Sequence, residues 1–194
     1  MRILGIDPGL NHTGFGVIDC DGSHFRLVDA GCIHVPAGDL CDRLAVIHKE
    51  LAAVIAATRP THAACELVFV NVNPKATLLL GQARGTAIAC AAVAGLKVDE
   101  FTPAQIKQAV VGSGRATKVQ VQHMIARLLN LSQTPQSDAA DALACAITCA
   151  HSMRLKSIET PLAARSKTGI RTLSSKSKQR AAWQALVLNR KETE

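Results

Sequence analysis

Arg2-Ile3-Leu4-Gly5-Ile6-Asp7-Pro8-Gly9 opens the chain. A short apolar run ends on a carboxylate and is broken at once by Pro-Gly, which reads as a buried strand and a tight turn. Gly14-Phe15-Gly16-Val17-Ile18-Asp19 resumes an extended pattern, Asp21-Gly22 is a hairpin signal, and Phe25 to Val35 is a third strand. The chain therefore begins with three antiparallel strands.

Outward from this start, apolar Leu40, Leu44, Ile47, Leu51, Val54 and Ile55 form one helical stripe, with Asp39 as N-cap and Arg59-Pro60 as its end. His62 to Glu66 is short and continuously apolar up to its last residue, as in a buried parallel strand. Lys75 to Ala94 reads as a long helix in which Gly81 and Gly85 permit close packing on a partner. Lys97 to Phe101 is a last strand, and Thr102-Pro103 caps the helix after it. Gly112-Ser113-Gly114 breaks that helix. Thr117 to Leu129 and Pro135 to Ala150 are two more. This order predicts an α/β domain with a five-stranded mixed sheet, three antiparallel strands plus two parallel ones, flanked by helices.

Four carboxylates occupy telling places in that plan. Asp7 and Glu66 end strands, where α/β sheets build their sites. Asp138 and Asp141 are three residues apart and share a helix face in Ser137-Asp138-Ala139-Ala140-Asp141-Ala142-Leu143. Taken singly, Asp7 is a turn residue as readily as a ligand, and Glu66 suits a salt bridge as well as a metal. The Asp pair alone suits a solvated face, but its apolar surround predicts that the acidic face points at something. Four such groups at one point repel each other unless a hard cation neutralises them, which predicts Mg²⁺ chemistry on a phosphate, with two metals.

Charge is unevenly spread. Residues 1–150 hold 12 Lys/Arg and 12 Asp/Glu, whereas residues 151–194 hold 10 against 3, so the whole net charge of +7 lies in the tail. Such a tail suits a polyanion tether and a solubilising segment equally. Ala181 to Leu188 is its one candidate helix; the rest is expected to be disordered. The 48% hydrophobic content supplies a core without staples. The seven cysteines include no CxxC pair, and the His and Cys residues show no zinc spacing along the sequence. No apolar run is read as long enough to span a membrane, and no signal peptide is recognised, so a cytoplasmic protein without membrane contact is expected.

The opening segment, followed by Thr13-Gly14-Phe15-Gly16-Val17-Ile18, resembles the RuvC family of bacterial Holliday junction resolvases. Cys65-Glu66-Leu67-Val68-Phe69, Leu80-Gly81-Gln82-Ala83-Arg84-Gly85, Lys107-Gln108-Ala109-Val110-Val111-Gly112, Lys118-Val119-Gln120-Val121-Gln122-His123-Met124 and the Asp138 segment match in order and spacing. The resemblance covers about residues 1–150. It implies an RNase H-like fold over residues 1–152, a homodimer, and symmetric nicking of four-way DNA junctions in recombination and repair, leaving 5′-phosphate and 3′-hydroxyl ends. It makes Asp7, Glu66, Asp138 and Asp141 catalytic metal ligands for Mg²⁺, with Mn²⁺ able to substitute. Lys107 and Lys118 would contact DNA phosphates, and Phe69 would stack on unpaired bases at the crossover. Arg84 would either contact DNA or bridge helices across the dimer. RuvA and RuvB are the implied protein partners. Residues 153–194 match nothing and are expected to form a basic, flexible tail. An RNA-processing nuclease of the same fold and a catalytically silent junction-binding protein are the alternatives; the complete acid set opposes the latter.

Overall fold

The computed structural model describes residues 1–67 and 73–165. The chain divides into two units, Met1–Lys156 and Ser157–Glu194. The first holds the sheet: β1 (Arg2–Asp7), β2 (His12–Asp21), β3 (His24–His34), β4 (His62–Glu66) and β5 (Lys97–Phe101), in the order β3-β2-β1-β4-β5. β1, β2 and β3 pair antiparallel, while β4 joins β1 and β5 joins β4 in parallel. The mixed sheet expected from the sequence is thus present, with β1 at its centre.

Alternation along β1 sorts the two layers. Leu4 and Ile6 face the core shared with α1 (Leu40–Thr58) and α2 (Pro74–Val93). Ile3 faces the core shared with α3 (Pro103–Val111), α4 (Lys118–Leu128) and α5 (Ser137–Arg165). Gly5 and Asp7 share the parity of Ile3, and Glu66 that of Ala64, so both strand-end carboxylates lie on the α5 side.

α5 touches the sheet through missing side chains. A Cβ on Gly5 would sit 1.9 Å from the Ala142 carbonyl oxygen, one on Gly14 2.1 Å from that of Asp138, and one on Gly16 2.7 Å from the Leu143 side chain. Gly5 and Gly16 are cross-strand partners, and Gly14 pairs with Asp7. These three glycines let the helix backbone lie directly on β1 and β2, which no side-chain-bearing residue would allow. The small residues of α5, buried from Ala142 to Ala146, complete the approach.

Local signals explain most boundaries. Thr102 and Thr117 each form a capping box, with Gln105 and Gln120. Asp39 occupies the N-cap of α1 but makes no side-chain cap bond. α5 differs from expectation, running to Arg165 rather than ending at Ala150. No Gly or Pro lies between His151 and Lys156. Met153 still packs on the core, and the Lys156 Nζ lies 3.5 Å from Asp99 Oδ1 on β5. The expected helix at residues 181–188 lies outside the described residues. α2 also corrects the membrane reading, because by length and composition alone it qualifies as a membrane-crossing helix. Here Ala83, Ala87, Cys90 and Ala91 pack it on the sheet.

Candidate active site

Asp7 stands at the end of the central strand, followed by a turn that Thr13 closes. The fully buried Thr13 hydroxyl donates to the Gly9 carbonyl at 2.7 Å. β4, hydrogen-bonded to β1, presents Glu66 one strand away. The start of α5, seated on Gly14 and Gly5, brings in Asp138 and Asp141. The pairing of β4 with β1 and the close seating of α5 on the glycines thus gather four carboxylates from three elements.

Asp7 lies within the fields of the other three acids. The Asp7 carboxyl is pushed up to about 7, first by burial, then by repulsion from Asp141, Glu66 and Asp138, with Lys118 pulling the other way. Glu66 is also raised, by burial and then by Asp141, with Lys118 and Lys107 opposing. Lys118 Nζ lies 2.6 Å from Asp141 Oδ2, and this hydrogen bond is the largest cause of the lysine's own upward shift. Lys118 is the first residue of α4, where a helix dipole disfavours a cation. The carboxylate cluster offsets that cost.

Glu66, Lys107, Lys118 and Asp141 line one cleft of about 240 Å³ with Pro103, Ile106, Val121 and Ala144. The two lysines reach it from α3 and α4, whose connecting turn is held by Gln108. Its Nε2 donates to the Gly112 carbonyl at 3.0 Å and its Oε1 accepts from Gly114 N at 3.1 Å. Gly112, with φ 83°, ends α3 in the left-handed conformation that glycine adopts most cheaply. Gln108 and the glycines under α5 are site-building residues that the sequence reading did not single out. The Gly14-x-Gly16 pattern on a strand was the available signal.

Two expected residues stand apart from this cleft. Arg84, on α2, is ion-paired with Glu100 on β5, and α2 packs on the face of the sheet that carries Leu4, Ile6 and Ala63. It is therefore placed on the layer opposite the carboxylates. Phe69 lies outside the described residues. Cys32 on β3 was not anticipated: its thiol donates to Asp138 Oδ2 at 3.4 Å, and burial, then that bond, push it up to about 11.

The raised Asp7 value carries a stability prediction for the metal-free protein. A carboxyl whose folded value exceeds its unfolded one contributes full stability below about pH 4 and loses it as the pH rises through about 7. In EDTA, Asp7→Asn is therefore expected to melt above the wild type at about pH 8, with the gap closing towards about pH 4.5. Calorimetry at both values checks this; an equal gap at both would contradict it.

A family model described as Crossover junction endodeoxyribonuclease RuvC matches residues 3–149. The chain is 54% identical over 170 residues to the crossover junction endodeoxyribonuclease RuvC of Bordetella avium, covering 87% of this chain and 94% of that protein. It is 58% identical over 151 residues to that of Burkholderia cenocepacia, covering 78% and 84%. Among solved structures, Thermus thermophilus RuvC in complex with Holliday junction substrate superposes with a TM-score of 0.77 at 33% identity, covering 80% of this chain and 96% of that one. The five-stranded sheet and its flanking helices are thus an RNase H-like fold, and the chain belongs to the RuvC family of crossover junction endodeoxyribonucleases.

Proposed function

We propose that Asp7, Glu66, Asp138 and Asp141 form a Mg²⁺ site that hydrolyses DNA at four-way junctions, nicking two strands symmetrically. The observation that carries this reading is the convergence of four carboxylates with one lysine paired among them, where burial first and the charges of Asp141, Glu66 and Asp138 next push Asp7 up to about 7. An all-oxygen donor set of this charge fits hard cations, and Mn²⁺ would use the same ligands. When bound, two such ions supply an activated water and neutralise charge on the departing 3′ oxygen, which leaves 5′-phosphate and 3′-hydroxyl ends.

The chain's own residues do the rest. Asp7 is fixed at the end of the central strand, a rigid position from which it would hold a cation together with the other three acids. Asp141 is held in place by Lys118. Lys107 and Lys118 line the cleft and offset the repulsion that an acidic centre exerts on a phosphodiester. Phe69, in the segment between β4 and α2, is proposed to stack on bases unpaired at the crossover. Arg84 is proposed to lock α2 to β5 through Glu100 rather than to hold DNA at the cut.

A junction with two equivalent strands calls for two sites related by a two-fold axis, so we propose a homodimer acting with the branch-migration proteins RuvA and RuvB in the cytoplasm. Residues 1–152 are proposed as the nuclease domain and the basic residues 153–194 as an accessory tail that adds non-specific affinity for DNA.

Cleavage of a synthetic four-way junction in Mg²⁺, Mn²⁺ or EDTA, followed by DNA ligase, tests the chemistry. Nicks are expected only with a divalent cation, and ligase should reseal them. Cutting in EDTA, or ends that ligase leaves open, would contradict the assignment.

A further inference from the structure

Strand pairing assembles a second group of metal-ligating side chains that sequence spacing hides. His12 on β2 is the cross-strand partner of His34 on β3, and Cys32 is paired with Gly14 two positions along. The period of two places His12, Cys32 and His34 on one face of this ribbon, the face towards α5. One ligand atom from each lies within 4.8 Å of the other two. The two rings meet edge to face with centroids 5.0 Å apart. Ligand atoms around a tetrahedral zinc are separated by roughly 3.3–3.8 Å, given bonds of about 2.0–2.3 Å. The exposed His12 and His34 rings need only small rotations to close that difference.

The supporting contacts suit ligation. His34 Nδ1 lies 3.2 Å from the Cys32 carbonyl oxygen. Against a carbonyl that nitrogen donates, which leaves the lone pair on Nε2 and orients the ring, as an outer-shell partner does for metal-bound histidines. The Cys32 thiol is half-buried, unlike the fully buried Cys65, Cys145 and Cys149, and so is within reach of an ion from solvent.

We propose that His12, Cys32 and His34 bind one thiophilic divalent cation of the zinc class, with a fourth position open to water. The donor set, two imidazoles and a thiolate, separates it from the all-oxygen carboxylate cluster, which selects Mg²⁺ or Mn²⁺. Coordination converts the thiol to thiolate and releases its proton to solvent, one per ion bound.

Cobalt(II) titration of the reduced full-length protein in excess Mg²⁺ tests the site, with zinc competition for affinity. A near-ultraviolet thiolate-to-cobalt charge-transfer band is expected to saturate at one equivalent and to be abolished by zinc. Cys32→Ser should remove the band. His12→Ala and His34→Ala, changes at exposed positions, should each weaken zinc binding by at least the roughly 10–100-fold that even an outer-shell change costs. Asp7→Asn should leave the band intact, which separates this site from the carboxylate cluster. Absence of a thiolate band in the wild type would overturn the proposal. So would a band that survives Cys32→Ser, or zinc affinity unchanged in both histidine variants.

Discussion

Asp7→Asn is expected to lower junction cleavage by at least roughly 1000-fold while leaving junction binding within a few-fold of wild type. The magnitude follows from the several kcal/mol that a catalytic cation contributes to transition-state charge, at about 1.4 kcal/mol per tenfold. Asp7 is the group that Glu66, Asp138 and Asp141 all repel, so it lies where their fields overlap. Asparagine keeps the shape and removes the charge. The cluster retains three carboxylates but loses the one that feels all the others and would hold the cations with them. Binding should survive, because removing a negative charge beside Lys118 lessens the repulsion of a DNA phosphate. Single-turnover cleavage and a binding titration on one junction measure both. Loss of binding together with cleavage would mean that Asp7 holds the fold rather than the metal.

Gly5→Ala is expected to cost about 3 kcal/mol or more, a fall of roughly 6–12 °C in melting temperature. The added methyl would sit 1.9 Å from the Ala142 carbonyl oxygen and 2.7 Å from the Ala146 nitrogen, both backbone atoms that no rotamer change can move. Relief requires α5 to shift away from β1, carrying Asp138 and Asp141 away from Asp7. Cleavage should therefore fall further than stability alone explains, even at temperatures where the variant is folded. Gly38→Ala is the control, since nothing lies within 4 Å of its added carbon. A folded, fully active Gly5→Ala protein would show that the helix does not need this contact to place its two acids.

The extent to which sequence was legible follows from the range of each interaction. Asp21-Gly22 marked the β2–β3 hairpin, and Gly22 does adopt a positive φ of 58°. Thr102-Pro103 marked the start of α3 through a capping box confined to four residues. Such signals are local and survive in the sequence. The course of α5 past Ala150 depended on Met153 and Lys156 finding partners on the core and on β5, which periodicity does not reveal. The Arg84–Glu100 pair likewise joins elements distant in sequence. His12, Cys32 and His34 show no zinc spacing along the sequence, yet strand register sets two of them directly opposite each other. For the candidate site, the four acids could be chosen because two ended strands and two shared an otherwise apolar helix face. What joins them, three glycines beneath α5, is a matter of interatomic clearance that only the folded chain displays.

The most direct measurement incubates the purified protein with a synthetic four-way DNA junction and Mg²⁺, beside a linear duplex of the same sequence. Paired nicks, symmetric about the crossover and on the junction alone, are expected of two carboxylate centres acting across a two-fold axis. Equal cutting of both substrates, or junction binding without cleavage, would contradict it.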